Sequence, residues 1–98
     1  MIQVHFDPSY ISVRGHAPRP ENVAPGQNIV CAAVSALTLT LIEGLTAIAG
    51  MEISTTEESG NVRIEWAAIN EIGKALIDTW FLGIVRIQDS YNGTILII

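Results

Sequence analysis

A single cysteine, Cys31, follows a histidine, His16, by fifteen residues in a chain of 98. A cysteine becomes a nucleophile when a base can take its proton and the local field favours the thiolate. An imidazole supplies the first, and the positive end of a helix dipole helps with the second. The run Asn28-Ile29-Val30-Cys31-Ala32-Ala33-Val34-Ser35 has the chemistry of a helix start, with Asn28 as a cap whose side-chain oxygen accepts from first-turn amides. Upstream, Gly15-His16-Ala17 closes an alternating segment, and Gly15 permits close backbone approach. Pro18 to Gln27, rich in proline and carrying a glycine, joins the two as a loop expected to form one wall of a substrate cleft. Together these residues suit a Cys/His pair that attacks a carbonyl.

A lone cysteine in an apolar helix is ordinarily a small buried hydrophobe. Its angular position argues otherwise. At about 100° per residue, Cys31 falls between Ser35 and Thr38, on the side that also carries Asn28 and Thr46. Val30, Val34, Leu37, Leu41, Leu45 and Ile48 mark the apolar sides, and only Ile42 interrupts the polar stripe. His5 is the competing base, but its parity is opposite to that of Val4 and Phe6, which places it on a solvent face. Asp7 and Glu21 have the chemistry to orient an imidazole, and spacing selects neither. His5, His16 and Cys31 are too few for a metal site, so no metal or cofactor is expected. No glycine-rich phosphate loop is present, and Glu57-Glu58 reads as a solvated pair on a turn.

The elements that must position these groups follow from periodicity. Ile2 to Phe6 and Tyr10 to Ala17 alternate as half-buried strands around the turn Asp7-Pro8-Ser9. A helix runs from Asn28 to about Ala49, with Gly50 as its stop. Met51 to Thr56 and Val62 to Trp66 form a second hairpin around Glu57 to Asn61. From about Ala68 to Ser90, Ile69, Ile72, Leu76, Trp80, Ile84 and Ile87 recur as a helical stripe, with Ile77, Phe81 and Val85 on a second. Thr94 to Ile98 is a terminal strand, apolar on both faces and therefore expected at the centre of the sheet. The class is α+β over residues 1–98 as one domain, ordered ββ-α-ββ-α-β, a mainly antiparallel sheet with both helices on one face. Two apolar stripes beside an apolar first helix leave surface that a second copy would cover, so a homodimer is expected.

Composition narrows the partners. The net charge is −5 and the five basic residues are scattered, which gives no footprint for a nucleic-acid backbone. The continuous apolar part of the first helix, Ile29 to Ile42, is shorter than the ~20 residues a membrane span needs, so it is expected to be a buried helix. One cysteine makes no internal disulfide and no signal peptide precedes Met1-Ile2-Gln3-Val4, so a reducing cytoplasm is expected.

Gly15-His16-Ala17, Ile29-Val30-Cys31-Ala32 and Ser35-Ala36 together resemble the ribosomal-processing cysteine protease family, Prp. The likeness extends to chain length and element order. Position 28 departs from it, with Asn28 where the family usually has Asp. The resemblance implies a cysteine endopeptidase with Cys31 as nucleophile and His16 as general base and then acid. It also implies a substrate: the N-terminal extension of a large-subunit ribosomal protein, removed before or during ribosome assembly. First-turn amides around Cys31 and Ala32 are the expected oxyanion donors, and Ser35, Gly15 and Asn28 are expected to shape the site. The residues alone also admit a peptide-binding module without catalysis, or a structural dimer with an inert cysteine.

Overall fold

The computed structural model describes residues 1–17 and 28–98. The expected cleft-wall loop, and Glu21 with it, lie outside the described residues. The order is β1 (Ile2–Asp7), β2 (Tyr10–Arg14), α1 (Ile29–Ala47), β3 (Ile53–Glu58), β4 (Asn61–Trp66), α2 (Glu71–Ser90) and β5 (Ile95–Ile97). This is the α+β architecture that the periodicity predicts.

The five strands form one sheet in the order β3-β4-β2-β1-β5, antiparallel except where β5 runs parallel to β1. The strand expected at the centre is thus an edge. Pairing explains the correction. β2 takes β1 on one side and β4 on the other, and β3 closes the second hairpin, so only outer positions remain for β5. An apolar pattern on both faces does not distinguish these places in so short a strand, and Leu96 is in fact exposed.

Alternation divides the sheet into two faces. Ile2, Val4, Ile11, Val13, Ile64 and Trp66 enter the core with the helices, while Gln3, His5, Arg14 and Arg63 occupy the open face. At 19 residues α1 has the length and apolar character of a membrane span, yet it buries Val30, Val34, Thr38, Leu41, Ile42 and Leu45 in this core. Its polar stripe is not wholly a solvent stripe. Thr38 is buried, donating to the Val34 carbonyl at 2.8 Å and accepting from Trp80 Nε1 at 3.1 Å, and Ile42 is buried beside it.

The second helix is shorter and rotated relative to its expected stripe. Asn70 caps it by accepting from Gly73 N–H at 2.7 Å, and its Nδ2 donates to the Ala49 carbonyl at 2.7 Å. The buried side runs Gly73, Ile77, Trp80, Ile84, while Ile69 and Ile72 lie exposed. Gly73 sits under the Met51 sulfur, and Ile77, four residues on, is buried on the same side. Exposed Ile48, Ile69, Ile72 and Leu82 leave the surplus apolar surface that the two stripes foreshadow.

Candidate active site

The site is built where the exit of β2 meets the start of α1. Asn28 joins them. Its Oδ1 accepts from Val30 N–H at 2.9 Å and Cys31 N–H at 3.1 Å, and its Nδ2 donates to the Ala17 carbonyl at 3.3 Å. Asn28 is buried, so it is both the expected cap and a tie between the strand end and the helix. The tie sets the position of Ala17, whose N–H donates to Cys31 Sγ at 3.4 Å. The sulfur therefore rests against the residue that directly follows His16.

Cys31 is half-buried, and His16, Ala32 and Ser35 are exposed. They share one cavity of about 980 Å³ with Gly15, Ala17, Val34 and Thr38. Its other wall is the β3–β4 turn, from Glu57 to Asn61. Of the expected site residues, Gly15, His16, Cys31, Ala32 and Ser35 all line this cavity, while Asn28 lies buried beneath it. Gly15 adopts a φ of +93°, and a Cβ there would meet the Met1 carbonyl oxygen at 2.6 Å. His5 is on the open face, its Nδ1 donating to the Ile98 carbonyl at 2.9 Å and its Nε2 3.7 Å from Asp7. Asp7 is thereby paired away from His16. Among the described residues, no group of three or more His, Cys, Asp or Glu side chains is gathered as a metal site.

One expectation is corrected. The first-turn amides of Cys31 and Ala32 are not free, because the first donates to Asn28 Oδ1 at 3.1 Å and the second to the Asn28 carbonyl at 2.9 Å. The cap that starts the helix consumes the donors that the sequence offers. The amide directed at the sulfur is that of Ala17, which only its adjacency to His16 singled out in the sequence. The turn from Glu57 to Asn61 was also missed as a cleft wall. Its turn chemistry was legible, but the strand order that brings it beside His16 was not.

Asn28→Ala is expected to cost about 1 kcal/mol for the lost cap, and about 1 kcal/mol more for the buried Ala17 carbonyl left without its donor. Asn28→Asp keeps the two accepted bonds and loses the one donated to Ala17, so its loss should be the smaller. Chemical denaturation of the two variants checks the order, and equal stabilities would remove the tie from this account.

A helix start bearing a cysteine, laid beside a histidine-bearing strand end and opening on a peptide-sized cleft, has the form of a thiol protease site. The chain matches the family of cysteine protease Prp over residues 1–96 and belongs to that family, which makes it a cysteine-type endopeptidase. It is similar in fold to the essential ribosomal processing protease Prp from S. aureus, solved in complex with a covalently linked product peptide. That match has 17% identity, a TM-score of 0.82, and covers 98% of this chain and 94% of that one. The same S. aureus protease in complex with a substrate peptide aligns at 16% identity and a TM-score of 0.79, over 99% and 95% of the two chains. SMU.848 from Streptococcus mutans is 27% identical, with a TM-score of 0.81 over 99% of this chain and 95% of that one. No protein of curated function matches the sequence significantly. Family membership sets aside the inert-cysteine and non-catalytic readings.

Proposed function

We propose that this protease removes the N-terminal extension of a large-subunit ribosomal protein, with Cys31 as nucleophile and His16 as general base and acid. The observation that carries the reading is the bond from Ala17 N–H to Cys31 Sγ at 3.4 Å, which holds the sulfur beside the His16 segment at the edge of the cleft. His16 takes the thiol proton and the sulfur attacks the scissile carbonyl carbon. The carbonyl π pair moves to oxygen, and the Ala17 amide, already directed at the sulfur, is the proposed donor to that oxyanion. Collapse expels the amine, which leaves with the proton held by His16. Water then gives a proton to His16, adds to the thioester and releases the acid as Cys31 recovers its proton.

The family and the ribosomal processing proteases of like fold support the substrate. Charge supports it too, since Glu57 and Glu58 line the cleft of a chain with net charge −5, complementary to a basic ribosomal protein. The need for a reduced thiol supports a cytoplasmic location. Exposed Ile48, Ile69, Ile72 and Leu82 favour a homodimer. Incubating the purified protein with an extended large-subunit ribosomal protein should shorten that protein at its N-terminus, as read by mass spectrometry. An uncut substrate would overturn the assignment. Sedimentation of the same sample should give twice the 10.6 kDa chain mass, and a purely monomeric species would remove the dimer.

A further inference from the structure

A catalytic imidazole usually needs a third group to hold it in line with its nucleophile. Among the described residues, no hydrogen bond or ion pair engages the His16 ring, and Asp7 is committed to His5 on the opposite face of the sheet. What does lie against the ring is a glycine. A Cβ built on Gly60 would fall 2.5 Å from His16 Nε2, 3.0 Å from Cε1 and 3.3 Å from Cδ2. The far edge of the imidazole therefore occupies the space a side chain at position 60 would fill.

Two further features make this a seat rather than a chance contact. Gly60 has a φ of +72°, a left-handed conformation that suits glycine at the tip of the β3–β4 turn. Its carbonyl accepts from Gly15 N–H at 2.8 Å, which continues the β2–β4 ladder one step beyond Arg14 and Asn61. The residue before His16 is thus bonded to the same glycine on which the ring rests. Backbone and side chain of the base are referenced to one point.

We infer that Gly60 is a positioning residue of this protease: its bare Cα is the shelf that holds the His16 imidazole toward Cys31. The inference rests on the dyad reading above. It assigns to the second hairpin a catalytic duty that no side chain in it performs. A methyl at position 60 displaces the ring, and a displacement of about 1 Å is enough to lower turnover on the order of 10²-fold.

The test compares Gly60→Ala with Gly93→Ala, His16→Ala and the double variant His16→Ala/Gly60→Ala. Gly93 is the control for backbone strain, since its φ is +77° and a Cβ there would meet nothing within 4 Å. Gly60→Ala should lower kcat on the extended ribosomal protein by on the order of 10²-fold with KM little changed, and Gly93→Ala should not. Alkylation of Cys31 by iodoacetamide should slow in Gly60→Ala and in His16→Ala, and be no slower in the double variant than in His16→Ala. The melting temperature should fall further in Gly60→Ala than in Gly93→Ala, and this excess should vanish once the ring is removed by His16→Ala. Slow alkylation in His16→Ala beside a wild-type rate in Gly60→Ala would overturn the seat alone. A wild-type rate in His16→Ala would overturn the dyad, and the seat with it.

Discussion

Cys31→Ala is expected to abolish cleavage, a loss on the order of 10⁴- to 10⁶-fold in kcat, while the protein stays folded. In the proposed mechanism the activity loss follows from removing the sulfur that forms the covalent intermediate, a role the remaining groups of the cleft do not fill. The modest structural cost follows from the surroundings of the sulfur. Cys31 is half-buried at the cleft, and among the described residues its Sγ accepts one hydrogen bond, from Ala17 N–H at 3.4 Å. Losing that acceptor costs about 1 kcal/mol, and the core beneath it, Val30, Val34 and Thr38, is untouched. Circular dichroism and a cleavage gel read the two effects separately. Residual cleavage by the alanine variant would remove Cys31 from the mechanism.

His16→Ala should lower kcat by on the order of 10²- to 10⁴-fold, the usual range for a lost general base. Its thermal midpoint should stay close to wild type, because the ring is exposed and bonded to none of the described residues. No second histidine is placed to substitute, since His5 lies on the open face with its Nδ1 bonded to the Ile98 carbonyl. The vacated cleft should admit free imidazole, and added imidazole should restore part of the lost rate. An undiminished rate without any addition would show that the proton leaves Cys31 by another route.

His16 follows β2 and Cys31 lies in the first turn of α1, so their approach depends on how those elements dock. Asn28 does the docking. That it would cap α1 was readable from its position before an apolar run, because capping involves only the next three residues. That its amide nitrogen would also bind Ala17 was not, because the acceptor lies past the end of β2, eleven residues upstream. Asn70 repeats the case, accepting locally from Gly73 and donating at a distance to Ala49.

By itself the sequence determined the strands, the two helices, the turns between them and the placing of Cys31 in a first helical turn. These depend on periodicity, capping and turn chemistry within a few neighbouring residues. Only the tertiary structure decided that β5 is an edge, that Ile77 rather than Ile72 faces the core, and that the polar stripe of α1 is buried at Thr38. The same level decided that the first-turn amides are consumed by Asn28, leaving Ala17 beside the sulfur and Gly60 beneath the imidazole. Each of these outcomes depends on which distant partner claims a surface first. Strand order, helix rotation and close backbone approach are settled by packing between elements, and no local pattern of residues encodes them alone.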